Sequence, residues 1–145
     1  MRAALLAGLL VPGLLVAGCG EQGDDYCAEV REHQEALTEI AASGERGALF
    51  DALAIYRQLQ DEAPPDLADE WSQVVGRLAA LEQAVEDAGV DPATYDPQDP
   101  PEDLPQQDRT AIRGAARDLG APETTEAMEG IEQQALDVCK TPLAQ

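Results

Sequence analysis

The sequence predicts an all-α fold, an antiparallel bundle of four to five helices closed by one disulfide. Three observations carry this. Apolar residues recur at alternating steps of three and four over most of the chain, the period of one helix face. No stretch alternates with period two long enough to make a sheet. Two cysteines, Cys27 and Cys139, stand at opposite ends of the periodic region.

The elements follow in order. Tyr26, Val30, His33, Leu37 and Ile40 mark the apolar face of a first helix, with Asp24 or Asp25 as its cap and Ser43-Gly44 as its end. Leu49, Leu53, Tyr56 and Ala63, with Phe50 and Leu59 beside them, mark a second over about 46–62. Ala63-Pro64-Pro65-Asp66 is a break, because a residue before proline avoids the helical region and aspartate is a good cap for a new helix. The third helix carries Leu67, Trp71, Val74, Leu78, Leu81 and Val85, and Ala88-Gly89 closes it.

Residues 89–104 hold four prolines and a run of acids, and read as a long loop. Pro105 suits a first helical turn, and Asp103 with Gln106 makes a capping pair. The fourth helix carries Ile112, Ala115, Ala116 and Leu119, and Gly120-Ala121-Pro122 interrupts it. The last carries Met128, Ile131, Ala135 and Val138, and ends near Cys139. An up-down-up-down bundle puts the start of the first helix and the end of the last at one pole. A Cys27–Cys139 bridge demands the same. The 43–46 turn and the 89–104 loop then share the opposite pole.

Ahead of this region the chain opens Met1-Arg2 and runs without charge from Ala3 to Gly18. That is the pattern of a secretion signal, and its 16 residues fall short of the roughly 20 that a membrane span needs. It ends Val16-Ala17-Gly18-Cys19. This resembles the lipobox of bacterial lipoproteins. The resemblance implies cleavage between Gly18 and Cys19 by signal peptidase II and diacylglycerol on the Cys19 thiol. It also implies an anchor on the extracytoplasmic face of the cell membrane, where each buried methylene contributes about 0.8 kcal/mol. One Lys against eight Arg, with many Ala, Gly, Pro and Asp, resembles the composition of high-GC actinobacteria. Leader and composition together resemble the small actinobacterial lipoproteins, a group without an assigned activity.

The expected organisation is therefore a leader over 1–18, a lipid-anchored tether over 19–25, a bundle over 26–141 and a tail over 142–145. Removing the leader leaves 127 residues, enough for one domain. Arg2 leaves with it, which takes the formal charge from −20 to −21. Nucleic acid is excluded as a partner, since that binding rests on Lys and Arg neutralising phosphate. In an exported chain the even pair Cys27 and Cys139 reads as a disulfide. A zinc site is disfavoured by their separation and by the single histidine.

Catalytic chemistry finds little support. Ser43 and Ser72 are the only serines, neither lies in a Gly-x-Ser-x-Gly motif, and His33 sits about 15 Å along the helix from Ser43. His33 falls on the apolar stripe and is expected to pack in the core. Asp91, Asp96, Asp99, Glu102 and Asp103 lack the EF-hand spacing, so a solvated acidic loop is expected, with weak Ca²⁺ binding left open. Tyr56 and Trp71 flank the Pro64-Pro65 turn and either close the bundle end or line a small apolar pocket. The expected function is non-enzymatic and without cofactor: binding an envelope protein or wall component through the outward pole. The second reading is a small-ligand carrier or sensor with an apolar cavity.

Overall fold

The computed structural model describes residues 21–145. Cys19, Gly18, the leader and the first tether residues lie outside the described residues. Among the described residues there are five α-helices and no strand: α1 (Glu21–Ser43), α2 (Ala48–Asp61), α3 (Ala68–Asp87), α4 (Gln106–Leu119) and α5 (Pro122–Gln134). A π-helical turn, Ala135–Cys139, continues α5. No described helix is long and apolar enough to cross a membrane.

Neighbours in sequence pack on one another: α1 on α2, α2 on α3, and α3 on both α4 and α5. The π turn returns to α1 and closes the ring. Helices α4 and α5 share the fourth layer, split at Gly120-Ala121-Pro122 as the sequence predicts. Proline opens α5 because its missing N–H costs nothing in a first turn. Thr124 holds this split in place. It is buried although polar, as are the Tyr26 hydroxyl and the Trp71 indole. Its Oγ1 accepts from Gln73 Nε2 (3.3 Å) and donates to the Asp118 carbonyl (3.1 Å), so burial leaves no polar group unpaired.

The predicted stripes of α1 and α3 are the core. Tyr26, Val30 and Leu37 of α1 are buried, as are Trp71, Val74, Leu78, Leu81 and Val85 of α3 together with Leu67 just before it. Gly44 and Gly89 both have φ of +65° and end α1 and α3, a backbone state that side chains other than glycine disfavour. The Cys27–Cys139 disulfide is present, with S–S 1.99 Å. It lies at the pole where Asp66 meets Gln134 (3.1 Å). At the other pole Arg46, in the α1–α2 turn, pairs with Asp96 of the long loop (3.4 Å). The two-pole arrangement expected from the sequence is therefore the one observed.

Several local expectations are corrected. Helix α1 begins at Glu21, not at Asp24 or Asp25, so residues 21–25 of the expected tether are helical. Asp66 does not cap α3; the cap residue is Leu67, with no side-chain bond. Asp66 is drawn away by Gln134. The Asp103–Gln106 pair does not form either. Pro105 stands at the cap of α4, and Gln106 Nε2 donates to Thr110 instead (3.4 Å).

Val138, placed on the apolar face by the sequence, is 55% exposed, while Cys139 is buried. The cause is the π turn, which spends one extra residue per turn. Ile131, Ala135 and Cys139 keep the inward face, and Val138 rotates out. Ala116 is likewise exposed, on a helix whose inward face is narrow. The last residues are not a free tail. Leu143 is buried, the Pro142 carbonyl accepts from Gln34 Nε2 (3.1 Å), and the Gln145 amide donates to Thr38 Oγ1 (3.0 Å).

Candidate interaction surface at the loop pole

The proline-rich loop is held by two arginines from opposite sides. Arg46 donates from its guanidinium to the Thr94 carbonyl (3.4 Å) and faces Asp96 (3.4 Å). Arg109, in the first turn of α4, donates from Nε to the Leu104 carbonyl (2.9 Å). From one terminal nitrogen it also reaches the carbonyls of Pro101 (3.1 Å) and Glu102 (3.0 Å). A planar guanidinium suits this, because its five donors sit in a fixed fork.

Within the loop the acids build turns. Asp91 Oδ1 accepts from the Ala93 amide and Asp96 Oδ1 from the Gln98 amide, both at 2.9 Å. These are local carboxylate–backbone bonds of the kind that stabilise turns. Leu104 is buried, and Tyr95 and Val90 pack against a small core of Leu81, Val85 and Ile112. An otherwise polar segment is thereby fixed to the bundle.

Replacing Arg109 with Ala should release three carbonyls at once while leaving the main core untouched. Hydrogen exchange of the Leu104 amide, which donates to the Pro101 carbonyl (3.1 Å), is expected to accelerate at least tenfold, equivalent to about 1.4 kcal/mol, with the amides of α3 unchanged. Equal protection in the variant would show that the arginine does not hold the loop.

The loop encloses an open hollow of about 400 Å³ whose wall includes Asp91, Asp96, Asp99 and Asp103. Asp96 is already paired with Arg46. Among the described residues no three acidic, histidine or cysteine side chains gather closely enough to hold a metal ion.

Two further grooves are mainly apolar. One, of about 380 Å³, runs between α1, α2 and the chain end, past Leu37, Ile40, Tyr56 and Met128. The other, of about 290 Å³, lies under the loop, past Phe50, Ile112, Tyr95 and Pro97. Leu49 lines both and is 52% exposed. The apolar pattern placed Leu49 on the inward face of α2. It is exposed because it stands in the first turn of α2, on the ridge between these grooves, where no neighbouring helix covers it.

Tyr56 and Trp71 do meet, with ring centroids 5.5 Å apart and planes tilted by 57°. Trp71 is fully buried, and its indole N–H donates to the Tyr26 hydroxyl (3.2 Å). It lines none of the openings described above, and Tyr56 edges the first groove. Burial raises the Tyr26 phenol above its usual pKa, opposed by the bond from Trp71. Burial, then the nearby Glu132 carboxylate, raises Tyr56. Both phenols stay protonated in neutral solution.

His33 is half-buried, with Nε2 3.2 Å from Glu29 Oε2 but outside hydrogen-bonding geometry. Ser43 donates to the Ile40 carbonyl (2.8 Å) and accepts from the Glu45 amide (3.2 Å), so it closes α1. Ser72 is exposed on α3. The three residues stand in separate places, and among them only Ser43 makes a side-chain hydrogen bond.

The anchoring roles of Arg46 and Arg109 are not legible in the local sequence: Arg46 has only Glu45 beside it, and Arg109 is one of three arginines spaced four apart along α4. Compared with protein-family models, with curated proteins and with solved structures, the chain matches none.

Proposed function

We propose that this chain is a lipoprotein, held through Cys19 on the outer face of the cell membrane, whose bundle binds an envelope protein or wall component without catalysis. The observation that carries this reading is the placement of the two poles. The disulfide ties Cys27 to Cys139, eight residues after the anchor position. The helical stretch between Glu21 and Cys27 advances only about 9 Å. An anchor at Cys19 thus keeps the disulfide pole near the lipid and turns the loop pole outward. A mature charge near −21 favours the same orientation, since an acidic body is repelled by anionic headgroups.

The loop pole also has the construction expected of a binding face. Its backbone is fixed by two arginines, so little ordering is left to be lost on contact. The test is photo-crosslinking in native membranes, from an unnatural residue at Gln98 and from one at Asp61. A defined partner recovered from the Gln98 position alone is the expected result. Recovery from Asp61 alone, or partner pull-down by the wild-type side chains unchanged by deleting residues 91–103, overturns the reading.

A further inference from the structure

Leu49 is the most distinctive apolar feature of the loop pole. Only three large apolar side chains stand exposed among the described residues: Leu49, Leu136 and Val138. The latter two are on or beside Cys139, at the opposite pole. Leu49 separates two grooves lined mainly by apolar side chains. An isolated exposed leucine needs no explanation, but one set between two apolar depressions offers a continuous contact.

The charge around it is acidic. Glu45 and Glu132 line the first groove. The one cation lining the second, Arg46, is already paired with Asp96. The whole chain carries 29 acids against 9 basic residues. A second copy of the chain would bring the same negative charge and be repelled. The complementary surface is apolar in the middle and cationic at its edges.

We propose that the Leu49 ridge, with its two flanking grooves, seats a basic amphipathic segment of the partner protein. The segment lays apolar side chains on either side of Leu49 and sets Lys or Arg against Glu45 and Glu132. This is helix-in-groove recognition, in which apolar anchors at helical spacing supply affinity and charge supplies orientation. It rests on the reading of the loop pole as the working face, and adds to it the seat and the chemistry of the partner.

The probe is a synthetic helical peptide of leucine at positions i, i+3, i+4 and i+7 with lysine elsewhere, and its counterpart with glutamate for lysine. Binding is measured by fluorescence anisotropy to the membrane-extracted protein in neutral detergent. The wild-type protein is expected to bind the lysine peptide and not the glutamate one. Leu49→Asp is the discriminating variant. It adds a negative charge, so attraction by charge alone would strengthen binding, whereas loss of the apolar seat weakens it about tenfold or more.

Fold is not at risk, because Leu49 is exposed in the first turn of α2, where an acid suits the helix dipole. A melting curve no lower than wild type verifies this. A wild-type protein that ignores the lysine peptide, or a Leu49→Asp protein that binds it equally or better, overturns the proposal. If either occurs while crosslinking from Gln98 still captures a partner, the seat is wrong and the outward-pole reading stands. If Gln98 captures nothing while Leu49→Asp abolishes peptide binding, the seat stands and the wider reading falls.

Discussion

Reduction of the Cys27–Cys139 bond is expected to lower the thermal midpoint of this protein by about 15–20 °C. The bond closes a segment of 112 residues. Chain-entropy arguments for a loop of that length give about 4–5 kcal/mol, set against a total domain stability of about 5–15 kcal/mol. For a domain of about 120 residues the unfolding entropy converts that loss into the stated shift.

The topology says why the effect should be large. Helix α1 packs on α2, whereas α5 packs mainly on α3, so the first and last layers meet chiefly through the π turn. Besides the disulfide, that seam has Leu143 and two hydrogen bonds, one donated by Gln34 of α1 to Pro142 and one donated by Gln145 to Thr38 of α1. The Cys27→Ala, Cys139→Ala double variant is the cleaner experiment, because a single substitution leaves a reactive thiol. Melting followed by the fluorescence of the single tryptophan should fall by the same amount in the double variant and in reduced wild type. A change of less than about 1 kcal/mol would mean that the seam holds without the bond.

Trp71→Ala is expected to cost about 3–5 kcal/mol from lost packing and the cavity left behind. The indole has no exposed surface, and it spans a gap that backbone proximity does not. Helices α1 and α3 make no direct backbone approach, yet Trp71 of α3 reaches the Tyr26 hydroxyl of α1 while stacking obliquely on Tyr56 of α2. One side chain therefore joins three helices. Removing it also leaves the buried Tyr26 hydroxyl without its donor, which adds a desolvation cost of about 1–3 kcal/mol.

Trp71→Phe keeps most of the packing and loses the donor, so it should cost no more than about half as much. Tyr26→Phe strands the indole N–H instead. Urea denaturation of the two single variants and the double variant isolates the bond. The double variant should be less destabilised than the sum of the singles, since no polar group is then left alone. Simple additivity would mean that the Tyr26–Trp71 bond contributes nothing beyond its parts.

Helices α1 and α3 are legible in the sequence for a physical reason. Each is covered along its length on one side, so burial follows the helical period without exception from Leu67 to Val85. Where neighbours stop, the pattern misleads. Leu49 follows the period but projects beyond its cover, and Val138 follows it into a π turn that changes the count. The two-pole arrangement was legible because a covalent constraint and a helix count had to agree. Capping was not. Asp66 and Gln106 had the right chemistry locally, but Gln134 and Thr110 offered better geometry. The Arg46 and Arg109 clamps join residues whose meeting depends on tertiary structure, so no local pattern announces them. The proposed role of Cys19, by contrast, rests on the sequence alone.

The proposed anchoring through Cys19, with the disulfide pole toward the lipid, is tested most directly by energy transfer to acceptor-labelled lipids after the full-length protein, expressed with its leader, is reconstituted in liposomes. A donor dye is placed without cysteine chemistry at Glu62, at the disulfide pole beside Glu29, or at Gln98 in the loop. From Glu29 to the end of α1 at Ser43 the helix rises about 21 Å, so the two positions lie at clearly different distances from the lipid. Strong transfer from Glu62 and weak transfer from Gln98, both abolished by Cys19→Ala, is the predicted result. Equal or reversed transfer, or membrane association that survives Cys19→Ala, would contradict it.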